Sequence, residues 1–96
     1  MSTTRKVAGF ELSASGRADG RLEAVYIRLR AGRSAKTREI IEDTLLADFD
    51  TRGRLIGVEI LAPVKLSDLT QLVREPRRAP FRRFVRKIAP PDLIVA

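Results

Sequence analysis

Three carboxylates, Asp48, Asp50 and Glu59, come nearest in this chain to a reactive constellation. Asp48 and Asp50 stand two positions apart and so share one face of a strand, while Glu59 lies on the run that folds back across Asp50-Thr51-Arg52-Gly53. Such a group could hold Mg²⁺ or Ca²⁺, or move a proton. Either ion needs more oxygen ligands than three side chains supply. The plainer reading puts Asp50 in the turn and pairs Asp48 and Glu59 with arginines such as Arg28 and Arg54, as ion pairs on an exposed strand face commonly are. The chain has no cysteine and no histidine. That removes disulfides, thiolate ligands and thiol nucleophiles, and also the commonest general base near neutral pH. The expectation is a non-catalytic protein with no cofactor and no metal, and the lack of cysteine fits a reducing cytoplasm.

A second constellation is cationic. Tyr26, Arg28 and Arg30 alternate, offering one ring to stack on a base and two guanidiniums for phosphate. A single aromatic equally suits an ordinary strand with a solvated outer face, and that reading is preferred. The net charge is +7, unevenly spread: residues 1–73 carry +2 and residues 74–96 carry +5. The excess is made by Arg74, Arg77, Arg78, Arg82, Arg83, Arg86 and Lys87. These are candidate contacts for a polyanion, either nucleic acid or an acidic protein partner. A membrane surface fits less well, because the apolar stripe that accompanies them is short and lacks Trp. There is no apolar run of about eighteen residues to span a bilayer, and no secretory pattern follows the first basic residues. A cytoplasmic location is expected. Gly53 and Gly57 occupy turn and strand positions, away from any helix start that could make a phosphate-binding loop.

The elements that must position these residues are mostly strands. Ninety-six residues suffice for one domain with a small core. That core must rest on Leu, Ile and Val, since the chain has four Phe, one Tyr and no Trp. Residues 1–5 read as frayed. Residues 7–14 alternate with Ala8, Phe10 and Leu12 on one side, and residues 15–20 form a turn bounded by glycines. Residues 22–30 alternate more strictly, with Val25, Ile27 and Leu29 opposite Tyr26, Arg28 and Arg30. Thr37, Glu39 and Ile41 share a face in residues 34–41. Residues 44–50 set Leu45, Ala47 and Phe49 against Leu46, Asp48 and Asp50. Residues 54–61 set Ile56, Val58 and Ile60 against Leu55, Gly57, Glu59 and Leu61. Asp at the first and Gly at the fourth position of residues 50–53 suit a type I turn. Short connections throughout predict a meander of about five antiparallel strands.

Leu46, Leu55 and Leu61 then need a cover, supplied by the segment after Pro63 or by a second copy of the chain. A short helix is expected over residues 68–74, with Ser67 as N-cap and Asp68 at its positive end. In residues 81–88, Phe81, Phe84, Val85 and Ile88 fall on one helical stripe, with Pro80 in the first turn and the cations around the rest. Residues 1–75 thus read as a meander domain with a short helix, and residues 76–96 as a basic extension whose last apolar run, residues 93–95, could dock as an extended arm.

The centre of the chain resembles a family of small prokaryotic proteins, the domain of unknown function 2283. The likeness lies in Glu23-Ala24-Val25-Tyr26-Ile27-Arg28-Leu29, in Thr37-Arg38-Glu39-Ile40, and in Ala47-Asp48-Phe49-Asp50 followed by Gly53-Arg54-Leu55-Ile56-Gly57-Val58-Glu59-Ile60-Leu61. It covers about residues 18–70. The resemblance implies a compact antiparallel β-protein with no assigned reaction and marks Glu39, Asp48, Asp50, Gly53, Gly57 and Glu59 as its polar and glycine positions. A weak association with toxin-like genes implies an antitoxin or partner role. The chain departs from the family in the longer turn at residues 15–20, at Arg21 and in the tail from Arg74. Together these readings predict a β-rich α+β protein, homodimeric, serving assembly or a protein partner, with an antitoxin-like nucleic-acid-binding role as the alternative.

Overall fold

A computed structural model describes residues 2–7, 9–16 and 22–95 of the chain. Among them, β1 (Ser2–Val7), β2 (Phe10–Gly16), β3 (Leu22–Arg28), β4 (Lys36–Ile41), β5 (Leu45–Phe49) and β6 (Leu55–Ile60) form one antiparallel sheet in the order β1-β2-β3-β6-β5-β4. The five expected strands and the C-terminal helices are present, so the fold is α+β and rich in strand. Two features depart from the expected meander. Residues 2–7 are not frayed but pair with β2 over the whole length of β1, in a hairpin closed at Val7–Phe10 with Gly9 at φ 85°. Ala8 and residues 17–21, including most of the expected glycine-bounded turn, lie outside the described residues.

The second departure is at the centre. β3 pairs with β6 and not with β4, because the chain leaves β3 and builds β4 and β5 at the far side before β6 fills the gap. The cause lies in β4, where Lys36 is opposite Phe49 and Arg38 opposite Ala47. A β3–β4 hairpin would have placed those two cations over the core. At the edge they stay exposed, and charged edges also resist pairing with foreign strands.

Alternation puts Phe10, Leu12, Ala14, Val25, Ile27, Leu29, Leu45, Ala47, Val58 and Ile60 on one buried face. Two bulges adjust it. The register shifts between Glu39 and Ile41, which turns Ile41 from the Thr37/Glu39 side to a place opposite Leu45, packed on the core. It shifts again where Asp48 opposes Gly57 and Phe49 opposes Leu55. Leu55 therefore packs against the core, and Ile56, though buried, stands outside that cluster. An extra residue in one strand reverses the facing of everything beyond it, which strict alternation cannot anticipate.

The buried face is covered by α1 (Leu66–Thr70) and α2 (Arg78–Ile88). The expected start of α1 is corrected: Lys65 is the N-cap residue and makes no side-chain bond, while Ser67 lies inside the helix and its carbonyl accepts from the Thr70 hydroxyl at 3.2 Å. Pro80 sits in the first turn of α2, and Phe81, Phe84 and Val85 are buried as its periodicity requires. Phe81 and Phe84 meet Phe10 at ring-centroid distances of 5.6 and 5.4 Å. The helices thus lie on the Phe10 face and not over Leu46, which stays on the open face of the sheet. Residues 93–95 do dock: β7 (Val64–Lys65) and β8 (Ile94–Val95) pair in parallel, and Val64 N–H donates to the Leu93 carbonyl at 2.9 Å.

Candidate functional site

On the open face, one polar chain runs across four strands. Tyr26 of β3 donates its hydroxyl to Asp48 Oδ2 of β5 at 3.0 Å, and Thr37 of edge strand β4 donates to Asp48 Oδ1 at 2.5 Å. Tyr26 reaches β5 because it passes over β6 at Gly57. A Cβ built on Gly57 would overlap the Tyr26 hydroxyl, lying 2.5 Å from its Cζ and 2.8 Å from the Ile27 carbonyl oxygen. A glycine within a strand often marks such a close approach. The Arg28 guanidinium stands 5.9 Å from the Tyr26 ring centroid and donates to the Gly32 carbonyl at 3.2 Å.

This corrects the expected pairing of Asp48, which takes two hydroxyls in place of Arg28 or Arg54. Arg54 instead holds Asp50, Nε to Oδ2, at 2.8 Å. Asp50 is the turn residue that its position predicts: its Oδ1 accepts from the Arg52 and Arg54 backbone N–H groups at 2.9 Å each, and its carbonyl accepts from Gly53 N–H at 3.0 Å. The Arg54 backbone bond, more than the guanidinium, holds the Asp50 carboxyl below the ordinary carboxylate value. Gly53 supplies a φ of 78°. Glu59 lies opposite Tyr26 and Leu46 in the ladder. Glu39 accepts from the Asp43 N–H at 3.2 Å where Asp43 takes φ 55°. Among the described residues, no group of three or more acidic side chains is placed to hold a metal ion.

The network has limited chemistry. Burial first, then the hydrogen bond to Asp48, push the Tyr26 phenol up to about 12. At neutral pH it is a donor and neither a base nor a nucleophile. Its geometry is that of a brace joining β3, β5 and β4 over β6. Alternation exposed the face on which Tyr26 and Asp48 sit. The pairing of Tyr26 with Asp48, and Thr37 as the third member, depended on the strand order.

The seven cations of the C-terminal segment divide into two groups. Arg77 donates to the Leu29 carbonyl and lies 4.5 Å from the Phe10 ring centroid. Arg78 Nε donates to the Thr70 and Val73 carbonyls at 3.1 and 2.9 Å, with Glu75 at 3.8 Å. These two tie α2 to the body of the protein. Arg74, Arg82, Arg83, Arg86 and Lys87 are exposed, and none has an ion-pair partner among the described residues. The last four occupy the side of α2 opposite Phe81, Phe84 and Val85, so they project from the molecule on the helical side of the sheet.

The family model described as "Protein of unknown function (DUF2283)" matches residues 19–62. The match spans a little under half of the chain, and over it the chain is similar to the DUF2283 family. The DUF2283 segment contains β3 to β6, hence Tyr26, Thr37, Asp48 and Gly57 together with Glu39, Asp50, Gly53 and Glu59. α1, α2 and every exposed cation of the C-terminal segment lie beyond it. No curated protein and no solved structure matches the chain.

Proposed function

We propose that this protein is a non-catalytic interaction module that binds nucleic acid by its phosphates, through the outer face of α2. The observation that carries this reading is the set Arg82, Arg83, Arg86 and Lys87: four exposed cations within two turns, without ion-pair partners among the described residues, on a helix with no acidic residue. A protein partner would need buried anchors, usually aromatic or apolar side chains. A membrane would need an apolar face turned outward. The apolar side chains of α2 are turned into the core, which leaves charge as the means of recognition, and phosphate backbone is bound mainly by charge.

The test is binding of mixed-sequence duplex DNA to the intact chain, followed by fluorescence anisotropy over a range of salt. Affinity is expected to fall steeply with salt, and Arg82→Ala, Arg83→Ala and Arg86→Ala combined should flatten the slope by about 0.9 for each phosphate that is no longer neutralised. A parent whose binding ignores salt, or a triple variant that matches it, refutes the reading.

Pairing of two copies through the open sheet face has its own support. Leu46 lies on that face, and at the same end are Leu61, 41% exposed, and Ile40, 37% exposed. A second copy would cover this apolar corner. Light scattering should then give twice the chain mass, and Leu46→Asp should give a folded monomer, because a carboxylate buried against leucine is strongly disfavoured. A monomeric parent ends this reading.

A further inference from the structure

A cleft of about 620 Å³ opens at the end of the molecule where the β5–β6 turn faces the connection between α1 and α2. Its size is that of a small-molecule site, which typically spans about 300–1,000 Å³. Its floor is apolar: Leu29 and Val73 are buried, and Phe49, Leu55 and Leu72 are partly buried against the core. Among the described residues, its walls carry five arginines and one acid, Glu75.

Two of the arginines are engaged, Arg54 with Asp50 and Arg77 with the Leu29 carbonyl. Glu75 stands 3.8 Å from Arg78. Arg30, Arg52 and Arg74 are exposed, and their guanidiniums have no partner among the described residues. They come from three separate places, the end of β3, the β5–β6 turn and the segment before α2, and the fold alone brings them around one cavity. Three like charges around an apolar floor repel one another unless an anion joins them. Guanidiniums match phosphate geometrically, each offering paired N–H donors to two oxygens.

We propose that this cleft binds an organic phosphomonoester with a flat apolar body, its phosphate held by Arg30, Arg52 and Arg74 and its body resting on Leu55, Leu72 and Phe49. Three cations suit a group carrying between one and two negative charges at neutral pH and three acceptor oxygens. The apolar floor explains why the ligand is an ester and not free phosphate: burial of a ring supplies the affinity that an exposed ion pair lacks. The cleft is distinct from the outer face of α2, since its lining includes none of Arg82, Arg83, Arg86 and Lys87.

The intact chain is titrated with 1-naphthyl phosphate, whose fluorescence is read without interference from tryptophan, which the chain lacks. Saturable binding is expected, with 1-naphthol at least about tenfold weaker. Combined Arg30→Ala, Arg52→Ala and Arg74→Ala should lower affinity at least about tenfold without lowering the melting temperature of the unliganded chain, since these guanidiniums have no partner among the described residues and repel one another. Arg82→Ala with Arg83→Ala and Arg86→Ala should leave naphthyl phosphate binding intact, which separates this site from the nucleic-acid surface. Equal binding of naphthol and its phosphate overturns the proposal. So does a cleft triple variant that binds naphthyl phosphate like the parent but loses duplex DNA, because the three arginines would then extend the α2 surface.

Discussion

Tyr26 shows how a residue suited to reaction can be fixed in a structural role. Its hydroxyl is a neutral donor to Asp48, and the carboxylate of Asp48, already accepting from Thr37, makes loss of the phenolic proton more costly. The phenol is pushed from 10.0 to about 12, chiefly by burial, so the folded state favours the neutral form. Its contribution to stability is therefore complete below pH 10 and is lost as pH rises through about 12. Tyr26→Phe should cost about 0.5–1.5 kcal/mol at neutral pH, the usual net worth of one hydrogen bond. It should also reduce the alkaline loss of stability in that window, as read from thermal melts of parent and variant at matched pH. Parallel alkaline profiles would show that the phenol is not shifted in the folded state.

At the scale of elements, the Tyr26 brace depends on how closely β3 approaches β6. Gly57→Ala would place a methyl group against the Tyr26 ring and 2.8 Å from the Ile27 carbonyl oxygen. The ring can swing aside, but the carbonyl belongs to the β3 backbone. The expected cost is about 1–3 kcal/mol, as for overpacking elsewhere, and Tyr26→Ala in the same chain should restore only part of it. Urea midpoints of the parent and the two variants would check this, and a Gly57→Ala midpoint equal to that of the parent would refute the close approach. The same strands show what could be read in advance. Alternation placed Val25, Ile27, Leu45, Ala47 and Val58 on the buried face, and the i, i+3, i+4 spacing placed Phe81, Phe84 and Val85. These patterns are local, carried by each segment's own period. Leu55, Ile56 and Ile41 were misplaced because a bulge is fixed by the pairing of two strands, and nothing within one strand announces it. The neighbours of β3 were misplaced for a related reason. A short connection favours a hairpin, but the burial of Lys36 and Arg38 opposes one, and that cost exists only once the whole sheet is assembled.

For the whole molecule, the consequence is that the basic C-terminal segment and the core cannot be separated. Phe81, Phe84 and Val85 are 0%, 3% and 1% exposed and share one contiguous cluster with Phe10, Val25 and Leu69. Each such side chain is worth about 1.5–3 kcal/mol of burial. Three of them thus amount to much of the roughly 5–15 kcal/mol that holds a domain of this kind folded. Removing them also uncovers Phe10, and it takes away Arg77 and Arg78 with their bonds to the Leu29, Thr70 and Val73 carbonyls. β8 goes with them, leaving β7 unpaired. A chain ended after Val73 is therefore expected to lose cooperative thermal unfolding, with near-ultraviolet circular dichroism reduced and dye-accessible apolar surface increased. A cooperative melt close to that of the full chain would show instead that β1 to β6 with α1 fold alone. If the shortened chain unfolds, its failure to bind DNA says nothing of where phosphate is held. The exposed cations of α2 must then be tested by substitution in the intact chain, since Arg82, Arg83, Arg86 and Lys87 can be changed without touching the stripe that closes the core.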